Sequence, residues 1–240
     1  MPEPQPRPAA PPAAFALRPA PTARRPLLGQ QVLVVEDSRV AGEAIRLMCL
    51  RSGARIRRAS TLAAAGRHLS AWFPNVVIVD LGLPDGSGAE LIERLHLGRP
   101  RVEAVIGLSG DPALEDAATA AGADAFIAKP VASVAAFQEA VLAVLPAGAR
   151  PPGPRALDLS EVIVDAEAFR DDMAHAAALL DGGADAAAEL PPGYLARFLA
   201  GVAESAGDDA LLRAARAALA PDPAGDGEDR LAALVRARLA

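Results

Sequence analysis

Lysine is nearly missing from this chain. Of its 24 Lys and Arg residues, one is lysine, Lys129, in "AFIAKP". Cysteine is equally scarce. Cys49 alone cannot close an internal disulfide, so a reducing cytoplasmic setting is the expectation. It sits in the apolar helical run "IRLMCL" and reads as a small core residue. Aromatics make up only 3% while alanine is abundant, which favours helices over an all-β fold. No apolar run approaches the roughly 18–20 residues that a membrane helix needs. The N-terminus, rich in Pro, Ala and Arg, has no apolar centre and so no secretory signal. Residues 1–28 read as a disordered arm, because prolines break helices and few apolar groups offset ordering entropy.

Charge is uneven. Residues 151–240 carry 8 Arg against 16 Asp and Glu, which would repel a polyphosphate backbone and argues against nucleic acid as partner.

What is present from residue 31 on is alternation. The runs "QVLVV" (31–35), "NVVIV" (75–79), "VEAVIGL" (102–108) and "DAFIA" (124–128) are short and β-branched, and "ARIRRA" (54–59) looks like an edge strand with one wet face. Amphipathic stretches at 38–51, 61–72, 88–97, 111–121 and 133–145 lie between and after them. Asp111 before Pro112 resembles a helix cap followed by a first-turn proline. Five βα units predict an α/β fold: a five-stranded doubly wound parallel sheet, with ligands bound at the carboxyl ends of its strands. Those ends carry Glu36 and Asp37, Asp80, Ser109 and Lys129.

Three carboxylates in one crevice repel each other unless a cation sits among them, and an all-oxygen donor set suits Mg²⁺. A carboxylate kept ionised can attack phosphorus, and a compact ammonium can hold a phosphoryl oxygen. Blander readings stand beside these. Glu36 or Asp37 could cap the following helix, although Ser38 is the better cap. Ser109 could serve the turn "SGDP", and Phe126 could be core packing.

These residues resemble the response-regulator receiver domain of two-component signalling. The matching motifs are "VLVVEDS", "VVIVDLGLPDGSG" with Pro84 and Gly88 four and eight residues past Asp80, "IGLSG", and "AGADAFIAKP" with Phe126 and Pro130. The resemblance covers about residues 30–147, within an expected domain of 29–147. It implies a flavodoxin-like strand order, 2-1-3-4-5. It also implies that a sensor histidine kinase or phosphotransfer protein phosphorylates Asp80. Glu36, Asp37 and Asp80 would hold Mg²⁺, and Lys129 would grip the phosphoryl group. Ser109 and Phe126 would switch, and Lys129–Pro130 would be cis. The chain would be no enzyme beyond accepting the group and losing it again. Dimers could form through the fourth helix, fifth strand and fifth helix, or through the C-terminal helices.

Residues 148–157 read as a Pro/Gly linker and 158–240 as an acidic, all-α region of four amphipathic stretches. Each is too short to be stable alone. Output through contacts with an unidentified downstream protein is the first expectation. A DNA-binding output domain and a phosphorelay step through His175, in "DDMAHAAALL", are the alternatives.

Overall fold

The computed structural model describes residues 18–155, 157–160, 162, 166–182, 190–220 and 227–239. Five strands form one parallel sheet: β1 (Gln31–Val35), β2 (Arg55–Ala59), β3 (Val76–Asp80), β6 (Ala104–Ser109) and β7 (Ala125–Ala128), in the order β2-β1-β3-β6-β7. The two-residue strands β4 (Gly82–Leu83) and β5 (Gly86–Ser87) form a small antiparallel hairpin after β3. Without that hairpin the order is the expected 2-1-3-4-5.

Alternating side chains dictate the two layers. Val32, Val34, Val76, Ile78 and Ile106 point to one face, where α1 (Arg39–Ser52) and α5 (Val134–Val144) bury Ile45, Met48, Cys49, Phe137 and Val141. Leu33, Val35, Val77, Val79 and Val105 point to the other. There α2 (Leu62–Ala71), α3 (Gly88–Leu97) and α4 (Glu115–Ala120) supply Ala65, Leu91, Ile92 and Ala118. Both faces are covered, so the central strands are apolar throughout, as parallel sheets require. The helices start where short polar side chains take up free backbone amides. Ser38, Thr61 and Ser133 accept from Ala41, Ala64 and Ala136, each cap contributing about 1 kcal/mol. The helix expected at 111–121 begins as a 3-10 turn, Pro112–Leu114, capped by Asp111.

The C-terminal helices are α6 (Ala166–Asp181), α7 (Tyr194–Ala206), α8 (Asp209–Ala218) and α9 (Gly227–Leu239). They share an apolar core that includes Met173, Phe198, Leu199, Val202, Leu211 and Val235. Val40, from α1, is buried in that same core. The bundle therefore does not hang free. It uses α1 of the α/β layer as a further packing surface.

Two expectations change. A disordered arm through residue 28 does not hold for residues 18–28, while residues 1–17 lie outside the described residues. Leu27 is fully buried against α1 and α5, its amide donates to the Ser52 carbonyl, and Arg18 pairs with Glu103 at 2.9 Å. One buried leucine and backbone bonds anchor a proline-rich stretch whose composition alone gave no such sign. The segment read as a linker also folds back along α5. Arg150 donates to the Leu145 carbonyl at 2.7 Å and Arg155 to the Gln138 side chain at 3.2 Å. Beyond it, the Asp158 and Ser160 carbonyls accept from the first amides of α5. Residues 221–226, within the region expected to be all-α, lie outside the described residues.

Candidate phosphoryl-acceptor site

Parallel pairing sets the site. Val35 is level with Val79, Asp80 with Leu108, and Ser109 with Ala128, so the residues that end or follow these strands emerge together at one edge. Carboxylate oxygens of Glu36, Asp37 and Asp80 lie within 4.8 Å of one another. Glu36 is fully buried and Asp80 nearly so. The Lys129 ammonium donates to Asp80 Oδ2 at 3.0 Å and to Glu36 Oε2 at 3.1 Å. The Lys129–Pro130 peptide is cis.

Each carboxylate has further partners. Glu36 Oε1 and Asp37 Oδ1 both accept from the Ser38 amide, and Asp80 Oδ1 accepts from the Gly82 amide at 3.2 Å. Burial pushes the Glu36 carboxyl well above the ordinary range. The Lys129 ammonium opposes the rise, and the Asp80 and Asp37 charges add to it. Asp37 is raised by burial first and by Asp80 next. Burial pulls Lys129 down, but the carboxylates around it, Asp80 first, more than reverse that, and its net shift is upward. Three carboxylates thus share one ammonium, and burial and mutual repulsion make their ionised forms costly. A donor set of three clustered carboxylates fits a hard divalent cation.

The remaining sequence candidates are placed as follows. The Ser109 hydroxyl is buried and accepts from the Asp111 amide at 3.0 Å, the turn role weighed for it. Phe126 is half-buried among α3 and α4 side chains, next to Gly107, where a Cβ would stand 3.3 Å from its ring. Gly88 has no room for a side chain, since a Cβ there would lie 2.0 Å from the Asp80 carbonyl oxygen. His175 is not in this group. It is exposed on α6, edge-on to Phe198.

Three residues escaped the sequence reading. Arg58, on the edge strand with a supposedly wet face, folds over the acidic loop. Its guanidinium donates to the carbonyls of Glu36, Asp37 and Ser38 at 3.1, 3.0 and 2.6 Å. Gly42 leaves the space for it: a Cβ there would stand 2.4 Å from Arg58 Nε. Tyr194, the only tyrosine, reaches from the start of α7 and donates its hydroxyl to Asp37 Oδ2. Asp172, on α6 and 1% exposed, accepts from the Ser38 hydroxyl at 2.8 Å and from the Arg39 and Val40 amides at 2.6 and 3.0 Å. The scarcity of tyrosine was the one available signal. Asp172 and Arg58 had none, because their partners are 134 and about 20 residues away.

Residues 32–141 match the family model of the response regulator receiver domain. The transcriptional regulatory protein KdpE of Mycobacterium tuberculosis (strain ATCC 25618 / H37Rv) is 31% identical over 151 residues, 63% of this chain and 64% of that protein. The KDP operon transcriptional regulatory protein KdpE of Escherichia coli (strain K12) is 33% identical over 99 residues, 41% of this chain and 44% of that protein. The matches thus span less than two thirds of these relatives. Among solved structures, a CheY-like receiver domain from Methylobacillus flagellatus is 26% identical, with 48% of this chain and 98% of that one covered, at a TM-score of 0.43. No helix among the described residues is long and apolar enough to cross a membrane.

Proposed function

Residues 32–141 are a receiver domain of the response-regulator family, and from that premise we propose that this chain takes a phosphoryl group on Asp80 from the phosphohistidine of a sensor kinase or phosphotransfer protein. The observation that carries the proposal is the Lys129 ammonium, 3.0 Å from Asp80 and 3.1 Å from Glu36 in a cluster of three carboxylates. An Asp80 carboxylate oxygen attacks phosphorus, the P–N bond breaks, the electron pair leaves with the imidazole, and an acyl phosphate results. Glu36, Asp37 and Asp80 would hold Mg²⁺, which when bound supplies charge neutralisation for the incoming oxygens. Lys129 binds a phosphoryl oxygen and keeps its own proton throughout, since the surrounding carboxylates hold it charged. Ser109 turns from the Asp111 amide toward the new phosphoryl group, and Phe126 follows into the space it leaves.

The chain is a signalling protein and no enzyme in the ordinary sense. It sheds the group by hydrolysis and acts on no separate substrate. Its output runs through protein contacts of the C-terminal helices, in the cytoplasm. The test is labelling from a small phosphodonor. Wild type should incorporate phosphate only with Mg²⁺, and Asp80→Asn should incorporate none. Equal incorporation by that variant would refute the assignment.

The word "transcriptional" in the relatives' names favours a second reading, DNA binding by the helical region. Salt-dependent retention of the full chain on duplex DNA would support it. The 8 Arg against 16 acids of residues 151–240 place it behind the first.

A further inference from the structure

The mouth of the acidic pocket faces α7. Tyr194, at the first position of that helix, is 2% exposed and donates its hydroxyl to Asp37 Oδ2, an oxygen that a cation would otherwise take. One to two turns on, a Cβ at Gly201 would stand 4.0 Å from Lys129 Nζ, and a Cβ at Gly110, just past β6, would stand 3.8 Å from the Glu204 carboxylate. The α7 backbone at 201 thus lies close to the phosphate-gripping lysine, at a distance where a Cβ would make ordinary van der Waals contact. A second attachment secures the same arrangement. Asp172 of α6 takes the first amides of α1, and Val40 of α1 lies inside the bundle core.

A docked α7 and an incoming protein phosphodonor need the same space. A docked α7 stands against Asp37 and Lys129, the pocket residues that flank Asp80, where an imidazole carried on another protein would approach. We propose that the pocket mouth and the start of α1 are a docking surface whose resident occupant is the chain's own C-terminal bundle. Tyr194 and Asp172 are its latches, and it competes with metal at Asp37 and with the phosphodonor at Asp80. Loading the pocket therefore releases the bundle, and the face around Met173, Tyr194 and Phe198 becomes available to a downstream protein. This rests on the metal-binding receiver reading above and adds to it the gate and the residues that close it.

The energetic requirement is reciprocity. If the Tyr194 hydroxyl bond favours the docked state, removing it must tighten metal binding by the same factor. A hydrogen bond to a charged group corresponds to roughly a tenfold effect or more. Tyr194→Phe keeps the ring and its packing against Phe198, 5.9 Å between centroids, and loses only the hydroxyl. Asp172→Asn weakens the second latch without touching a pocket carboxylate.

The experiment titrates Mn²⁺ into the full chain by electron paramagnetic resonance and follows backbone amide exchange at Arg39, Val40 and 194–206. Tyr194→Phe should bind Mn²⁺ about tenfold tighter than wild type, and Asp172→Asn several-fold tighter. In wild type, Mn²⁺ should accelerate exchange at Arg39 and Val40, whose amides have no acceptor within their own helix. Mn²⁺ affinity unchanged or weaker in both variants, with binding that Asp37→Asn abolishes, would overturn the gate and leave the metal site standing. No Mn²⁺ binding in any form would overturn both.

Discussion

Asp172→Ala isolates the contact between the bundle and the α/β layer. The α1 helix has no acidic residue in its first turn, although its N-terminus carries free amides and the positive end of its dipole. The acid comes instead from α6, where Asp172 accepts three hydrogen bonds at 2.6–3.0 Å with almost no exposure. Hydrogen bonds to a charged group are worth about 1.5–3 kcal/mol each. Against them stands the desolvation of the carboxylate, visible as an upward shift of its carboxyl caused first by burial and only partly offset by the Val40 and Arg39 amides. Losing a capping side chain alone typically costs about 0.5–2 kcal/mol. The net expected loss is about 2–4 kcal/mol, larger than an ordinary cap because two amides and a hydroxyl are left without their acceptor. The donors belong to one layer and the acceptor to the other, so the loss falls on docking rather than on either core. A change of 3 kcal/mol moves the docked-to-undocked ratio by about a hundredfold. Urea unfolding followed by Trp72 fluorescence, which reports the α/β layer, and by far-ultraviolet circular dichroism should become non-coincident in the variant. Arg39 and Val40 amides should exchange faster by a similar factor. Coincident transitions at the wild-type midpoint, with unchanged exchange, would refute the reasoning.

Two further outcomes follow from the same geometry. Lys129→Arg keeps the charge, but a longer planar group must share a site where the ammonium already meets two carboxylates and a Cβ at Gly201 of α7 would stand 4.0 Å away. Mg²⁺-dependent labelling should drop by about tenfold or more with the helical content intact, and a wild-type initial rate would mean that the lone lysine carries no geometric role. The second concerns pH. Burial, then neighbouring charge, raises Glu36 and Asp37 in the folded chain, so the folded state retains protons that the unfolded state has released. Their contribution to stability is therefore present below the ordinary carboxylate value and lost as pH climbs through the raised one. Urea midpoints in EDTA should fall, relative to those in Mg²⁺, as pH rises above the ordinary carboxylate range. Parallel profiles in the two conditions would contradict this.

The parallel βα units and the strand-end cluster were readable because both follow from local rules, whereas the order 2-1-3-4-5 was implied only by the resemblance to receiver domains. Apolar runs of five or six residues separated by amphipathic stretches imply βα units, and parallel units put the residue after each strand at one edge. That logic brings Glu36, Asp80, Ser109 and Lys129 together without any knowledge of their side-chain contacts. The loop clamp was not readable. Arg58 shares the half-buried face of its edge strand with Ile56, two residues earlier, but only the packing shows its guanidinium folded back over the carbonyls of residues 36–38. The anchoring of residues 18–28 was likewise hidden, since one fully buried leucine does not stand out in a proline-rich stretch.

For the C-terminal third, the sequence by itself determined amphipathic helices that cannot stand alone, and the acidic balance of their surface. Tertiary structure decided what they pack against. Tyr194 meets Asp37 across 157 residues and Asp172 meets Ser38 across 134. Helical periodicity reports which side of a helix is apolar but says nothing of the surface it will cover. Such contacts depend on two separately folded faces being complementary in shape and charge, a property of their juxtaposition that no local stretch of sequence contains.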